Sequence, residues 1–394
     1  MNKKERIQIY LDGGNFYHLV LKKLKIDSLD FSFDNFIEFL VGERDIDSLG
    51  KRYYAGTVRE VEGDEYSKKA MSEQTRLFAK LDKGYWQKKT SKLRTRLEKV
   101  IIDKRTIDYK KFHKKGIKEI QFIRLREKGV DVKLAIDLMI GAMDNRYDTA
   151  IVISSDTDLA PAIDAVKHRF HKKVEYIGFS IPDRIKEKDD TKPSQNLIGR
   201  SNISRVLVKE DIIKFVNTKI IYFVHGTTVD NEEGRSTGWA PGELSKLGKK
   251  QAKKLKSLVK DNNFEIMFCS DLKRAVDSAN LGFKDDCEII QDQRLRECNY
   301  GDLNQADQNL VNYSKHILTP FPNGESLQDV EKRIKDFIGM LKKNYPGKNI
   351  AIMAHKAPQL ALEVLLKNKT WEQAIAQDWR KRKVWQPGWK YIIE

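Results

Sequence analysis

Cysteine is scarce: the 394 residues hold three, Cys269, Cys287 and Cys298, all in the second half and none in Cys-x-x-Cys spacing. An odd count without that spacing argues against a disulfide framework and a structural zinc site, and the three read as reduced thiols. Proline is scarce too, at 9 residues, and with 40% hydrophobic and 33% charged residues the composition supports neither long disorder nor collagen-like sequence. No run approaches the roughly 18 apolar residues of a membrane helix. Asp12 interrupts the one apolar run near the N-terminus, which argues against a signal peptide. The expectation is a soluble, cytoplasmic chain with no membrane partner, long enough for about two to three domains.

Basic charge is abundant and uneven. The net charge is +17, and residues 83–133 alone carry 18 basic against 6 acidic residues. Within that stretch Tyr85 and Trp86 precede Lys88, Lys89, Arg94 and Arg96, a mixture of rings and cations suited to tracking a phosphate backbone and stacking bases. A solvated lysine-rich helix is the alternative.

Apolar runs of strand length recur at 6–11, 149–153 and 173–177, separated by helical periodicity such as Val132, Ala135, Leu138, Met139 and Ala142. Strands alternating with helices imply a mostly parallel sheet. Residues 182–196 are polar with two prolines and read as a surface loop; 197–215 closes a first domain. A second series follows at 219–224, 265–269 and 349–354, with amphipathic helices at 245–259 and 326–343. The reading is α/β throughout, with two domains, 1–217 and 218–394, and no internal repeat.

In the first domain, acids gather where strands end. Asp12 closes the first strand, Asp131 opens a helix, and Asp156 and Asp158 follow the strand ending at Ile153. The carboxyl ends of parallel strands form the ligand crevice, so the four can converge. Converging carboxylates need a cation, and oxygen-only ligands suit Mg²⁺ or Mn²⁺. Singly, each acid has a plainer reading: Asp131 as a helix cap, Asp158 as a turn residue, Asp12 as a partner for a lysine.

Three segments, Leu11-Asp12-Gly13-Gly14-Asn15-Phe16, Lys128 through Leu138, and Ser154-Ser155-Asp156-Thr157-Asp158-Leu159-Ala160-Pro161, resemble the signatures of NYN domains, which have a PIN-like fold. The resemblance covers roughly residues 5–215. It implies a metal-dependent endoribonuclease with Asp12, Asp131, Asp156 and Asp158 as metal-binding catalytic acids and Asn15 beside them as a phosphate or substrate contact. The basic stretch then lies where an insertion forms a substrate-binding lid. Asp137 belongs to the second signature, but its helix face lies away from Asp131, which leaves it a supporting role.

The second domain carries different chemistry. His225 and His355 each follow a strand, and two histidines at strand ends can face one site. An imidazole there attacks phosphorus to form phosphohistidine if cations hold the phosphate and an acid protonates the leaving oxygen. Arg274 offers the guanidinium and Glu297 the acid. A single buried histidine would more simply be a core residue.

The wider pattern, His225-Gly226-Thr227-Thr228 with Asn231, Thr237-Gly238-Trp239, Ser245-x-x-Gly248-x-x-Gln251, Arg274, Glu297, Pro322-Asn323-Gly324-Glu325-Ser326 and His355, resembles the histidine phosphatase superfamily of phosphoglycerate-mutase-like fold over roughly 219–394. By resemblance, His225 is the nucleophile, Arg274 and His355 hold the phosphoryl group, Glu297 is the proton donor, and Asn231 contacts phosphate. The family has arginine immediately before the nucleophile; this chain has Val224, with Arg235, Lys273 and Lys356 as candidate replacements. Cys298 and Asn299 stand in place of the usual Arg-His pair after the acid, which argues against mutase activity. The combined expectation is a ribonuclease fused to a phosphatase that acts on RNA ends, RNA-derived phosphates or a nucleotide. The alternatives are a noncatalytic RNA-binding NYN module beside a small-molecule phosphatase, and a nuclease gated by a phosphate-sensing second domain.

Overall fold

Seven strands build the first sheet: β1 (Arg6–Asp12), β2 (Asp45–Thr57), β3 (Gln87–Ile101), β4 (Glu119–Glu127), β5 (Thr149–Ile153), β6 (Lys173–Ser180) and β7 (Ile203–Val208). Five build the second: β8 (Thr218–Val224), β9 (Ile266–Cys269), β10 (Glu288–Gln291), β11 (Asn349–Ala354) and β12 (Trp389–Ile393). The computed structural model describes residues 4–58, 60, 63–127, 129–183, 189–259, 262–378, 380 and 388–394, without the side chains of 48, 92–96 and 123–127.

The first sheet runs β4-β3-β2-β1-β5-β6-β7, parallel except where β3 meets β4. Chain order reverses at β1, which pairs with β2 on one side and β5 on the other, so the carboxyl ends of β1 and β5 flank a topological switch point. Strand β5 is buried at every residue, as a central strand covered on both faces must be. One face packs Tyr10 and Val152 against Leu134 and Leu138 of the helix Val130–Met143 and Ile163 of the helix Ala160–His168. Elsewhere Phe16 holds its ring 5.3–6.2 Å from Phe31, Phe33, Phe36 and Phe179.

The basic stretch is mainly a strand pair and not a lysine-rich helix. Residues Gln87–Lys92 extend the sheet from β2, and Leu93–Ile101 pair antiparallel with β4. Leu97, Val100 and Ile101 alternate with charged neighbours and stay exposed, as on an edge hairpin open to solvent, where lysines also discourage further pairing. Strands β2 and β7 and the short β10 and β12 were not among the apolar runs seen in the sequence.

The second sheet runs β10-β9-β11-β8-β12, parallel except for β12 on β8. Ile220 and Tyr222 face one apolar cluster and Phe223 the other, so β8 separates two helical layers. The chain divides into two compact units at Ile212 and Ile213, a little before the expected boundary at 217, because the short helix Lys209–Ile213 straddles the division.

Candidate active sites

In the first unit, Asp12 ends β1 and caps the short helix Gly13–Phe16, its Oδ1 accepting from Asn15 N at 2.9 Å. Its Oδ2 accepts from Ser154 Oγ at 3.1 Å, just beyond β5. Asn15 commits its whole carboxamide to that neighbour segment: Nδ2 donates to Ser155 Oγ at 3.0 Å, and Oδ1 accepts from Ser155 N at 3.1 Å. Asn15 therefore ties the first signature to the third. Asp156 caps the turn Thr157–Leu159, accepting from Asp158 N at 2.9 Å. Asp131 lies in the first turn of the helix Val130–Met143, and its side chain is exposed. Asp137 lies farther along that helix, accepts from Tyr54 Oη at 2.8 Å and lies 3.8 Å from Lys89 Nζ. It anchors to the sheet the helix that carries Asp131.

These acids feel one another. Burial, then the charges of Asp131 and Asp156, push the Asp12 carboxyl up to about 6. Asp131 is raised by burial and by Asp156 and Asp158. A buried carboxylate raised further by its acidic neighbours is the electrostatic setting a hard cation relieves. Among the described residues no three His, Cys, Asp or Glu side chains stand close enough together to enclose a metal ion. Mg²⁺ seldom needs such a cage, since it keeps several waters and takes only one or two carboxylates besides substrate phosphates. The donor set fits such an open site.

Of the basic residues, Lys88 pairs with Asp82 at 2.6 Å and lies 5.6 Å above the Phe78 ring, while Lys89 faces Asp137. The side chains of Arg94 and Arg96 lie outside the described residues.

In the second unit, β8 and β11 are adjacent and in register, Val224 opposite Ala354, and His225 N donates to Ala354 O at 3.1 Å. The next residues are therefore forced together: the rings of His225 and His355 have centroids 5.0 Å apart. His225 Nδ1 lies 2.7 Å from Gly226 O, a contact only an N–H can make, and Arg274 Nε donates to Nε2 at 3.2 Å. Together they fix the tautomer, with the proton on Nδ1 and a lone pair on Nε2. Burial and the Arg274 charge push the His225 ring down to about 3, so it is neutral near pH 7.

Glycine makes this approach possible. A Cβ on Gly226 would stand 2.4 Å from Gly248 O, and one on Gly248 would stand 2.0 Å from Thr227 O. Only two glycines let the helix Lys246–Leu258 close on the His225 loop, where Gln251 Oε1 accepts from Thr227 N and Oγ1 at 2.9 and 3.0 Å.

Arg274 is 1% exposed; its other nitrogens donate to Ala240 O at 2.9 Å and Gly238 O at 2.6 Å. His355 is fully buried, and neither of its ring nitrogens has a hydrogen-bond partner among the described residues. Two orphaned polar atoms at such depth call for a ligand. Glu297 sits at the N-terminus of the helix Lys356–Lys367. Its Oε2 accepts from Lys356 N at 3.1 Å and its Oε1 from Ala357 N and Cys298 N, both at 2.9 Å. Its own carbonyl accepts from Trp239 Nε1 and from Arg333, whose guanidinium also grips Glu325. Asn231 spends its Oδ1 on the cap at Thr228, which leaves Nδ2 as its donor group.

His225, Asn231, Arg274 and Glu297 line one cleft of about 650 Å³, with Arg235, Thr237, Lys356 and Arg380. Of the candidate replacement cations, Lys273 is not among the lining residues; it pairs with Asp277 and Glu243. Sequence reasoning missed Arg380 and Asp378, because no motif spacing reaches them, and Arg333, because it sits inside the amphipathic helix Leu327–Asn344 with no motif of its own. The one signal was the clustered basic charge near residue 380.

The chain matches the model of the histidine phosphatase superfamily (branch 1) over residues 221–379 and that of the NYN domain over 6–195. It is 30% identical over 148 residues to 2,3-bisphosphoglycerate-dependent phosphoglycerate mutase 2 of Gloeobacter violaceus, covering 33% of this chain and 67% of that protein. It is 30% identical over 147 residues to the adenosylcobalamin/alpha-ribazole phosphatase of Escherichia coli K12, covering 34% and 70%. The crystal structure of the alpha-ribazole phosphatase from Shigella flexneri aligns with 27% identity and a TM-score of 0.36, over 40% of this chain and 84% of that one.

Two measurements check these electrostatics. A carboxyl raised in the fold makes stability fall as pH rises through its folded pKa, so metal-free protein should lose stability from about pH 4 to above pH 6, by roughly 2 to 3 kcal/mol at most. Asp12→Asn should raise the Tm of the first unit by several degrees at pH 8 in EDTA. Mg²⁺ should raise the parent's Tm more than the variant's; equal Tm values for both proteins at every pH would contradict the buried charge. Separately, ¹⁵N NMR of the His225 ring should show a neutral imidazole with bare Nε2 from about pH 5 to about pH 9, whereas a midpoint near 6.5 would refute the assigned state.

Proposed function

We propose, for a chain that belongs to the histidine phosphatase superfamily through its C-terminal unit and carries an NYN domain in its N-terminal unit, that it is a hydrolase with two phosphorus chemistries. The C-terminal unit hydrolyses phosphate monoesters through phosphohistidine, and the N-terminal unit cuts RNA with the help of a divalent cation. The substrates of the phosphatase reaction are RNA ends, RNA-derived phosphates or nucleotides.

The observation that carries the phosphatase reading is the bare Nε2 of His225, bonded to Arg274 and backed by the unpartnered ring of His355. Arg274 Nε turns from Nε2 to a phosphoryl oxygen, the freed Nε2 lone pair attacks phosphorus as the ester P–O bond breaks, and Glu297 gives a proton to the leaving oxygen. The Nδ1–H bond to Gly226 O supports the positive charge that the ring acquires. Arg274, the Asn231 amide and a His355 N–H hold the phosphoryl oxygens. Water then attacks phosphorus, Glu297 takes its proton, and the N–P bond breaks to release inorganic phosphate.

For the nuclease reading, Asp12, Asp131, Asp156 and Asp158 are the residues that would hold Mg²⁺ or Mn²⁺. Such an ion, when bound, polarises the phosphodiester and acidifies the attacking water. Asn15 and Ser154 hold Asp12 and the Asp156 turn in place, and Asp137 holds the helix of Asp131. The long basic hairpin, with Lys88, Lys89, Arg94 and Arg96 on β3, supplies the surface for the RNA backbone.

Crossed variants test both halves in one protein. Asp156→Asn should abolish cutting of labelled RNA and leave release of phosphate from p-nitrophenyl phosphate intact. His225→Ala should do the reverse, lowering phosphate release on the order of 10⁴-fold or more. EDTA should stop only the RNA reaction. Full RNA cleavage by Asp156→Asn in Mg²⁺ would remove the acidic site from the account, and undiminished turnover by His225→Ala would remove the histidine.

A further inference from the structure

The cleft of the second unit lacks a cation at the position before its nucleophile, and the fold brings others to it. Val224 lines the cleft and offers no donor. Arg274 already has three commitments, to His225 Nε2, Ala240 O and Gly238 O, so it cannot by itself surround a dianionic phosphoryl group. Three further cations line the same cleft: Arg235, Lys356 and Arg380.

They are held differently. Arg235 pairs with Glu233, and both side chains are about half exposed, which makes a screened surface pair of little consequence. Lys356 and Arg380 instead share one buried carboxylate. The Asp378 side chain is 4% exposed; its Oδ1 accepts from Arg380 N at 3.1 Å and from an Arg380 terminal nitrogen at 2.7 Å, while its Oδ2 lies 3.4 Å from Lys356 Nζ. The Lys356 ammonium also rests 4.4 Å above the Tyr313 ring, and the Arg380 guanidinium lies 6.0 Å from the Trp389 ring centre. Asp378 thus holds both cations at the wall of the cleft, and the Arg380 charge reaches His225 itself.

We propose that Arg380, anchored on Asp378 beside Lys356, supplies the phosphate-binding guanidinium that Val224 cannot, and so completes the phosphoryl site. The inference rests on the phosphoryl-transfer reading of this cleft and adds a binding residue from outside every motif that identifies it. Asp378 is a positioning residue: it aims the guanidinium and touches no substrate. A planar fork suits a tetrahedral anion better than a lysine does, which makes Arg380 and not Lys356 the closer functional equivalent of an arginine at 224.

The test uses the full chain, with orthovanadate as the probe for binding and p-nitrophenyl phosphate for turnover. Arg380→Gln should weaken vanadate binding by about 10- to 100-fold, the usual worth of a charge-assisted contact, and lower kcat/KM by a similar factor. Arg380→Lys should keep part of the binding and an unchanged Tm, which separates loss of the fork from misfolding. The decisive variant is Val224→Arg, made both alone and with Arg380→Gln. Installing arginine at 224 should restore most of the loss in the Arg380→Gln background and gain much less in the parent. Equal gains in both backgrounds, or parent-like vanadate binding by Arg380→Gln, would overturn the proposal, as would a parent that binds no vanadate. A parent that binds vanadate in an Arg380-dependent way but turns over no ester would sink the phosphatase reading and leave the binding role of Arg380 standing.

Discussion

The parallel pairing of β8 with β11 is the constraint on which the second unit's chemistry depends. Six residue pairs hold the register from Lys219 opposite Asn349 to Val224 opposite Ala354, and the bond from His225 N to Ala354 O extends it one step further. Once that register is set, two imidazoles must lie side by side at the end of the sheet, and the surrounding structure manages the consequence. Gly226 O takes the Nδ1 proton and Arg274 takes the Nε2 lone pair. Burial keeps both rings from becoming charged. A slip of the register would separate the histidines and leave Arg274 bonded to nothing reactive.

The first unit applies the same geometric rule to opposite electrostatics. Asp12 follows β1 and the Ser154–Asp158 turn follows β5, neighbours at a switch point, so a carboxylate cluster forms where the second unit forms an imidazole pair. There burial and neighbouring carboxylates raise Asp12 and Asp131, whereas the histidine cleft is lined by cations around a single glutamate. One cluster suits a bound metal ion; the other suits a phosphoryl group brought by a substrate. Both sites rest on side chains spent on support, among them Asn15, Asp137 and Arg333.

Much of this was legible in the sequence, for physical reasons. Central strands buried on both faces read as unbroken apolar runs, so β1, β5, β6, β8, β9 and β11 stood out, and residues at strand ends named the sites. Strand β3 was illegible because its apolar residues Leu97, Val100 and Ile101 stay exposed and set no buried face, and its lysines resemble a solvated helix. The role of Asn15 was also hidden: an asparagine beside catalytic acids reads as a substrate contact, and only the fold reveals that Ser155 occupies both ends of its carboxamide. Arg380 lay beyond reach because its partner Asp378 is unremarkable until burial shows it carrying two cations.

The central claim is that a neutral His225, tautomerically fixed by Gly226 and Arg274, attacks through Nε2. It is tested most directly by mixing the full-length protein with a phosphate ester, quenching in alkali, and mapping the phosphorylated peptide and its isomer. The account predicts base-stable, acid-labile phosphohistidine on His225, bonded through Nε2 and absent from His225→Ala. A phosphoryl group on Nδ1 or on His355 would contradict it.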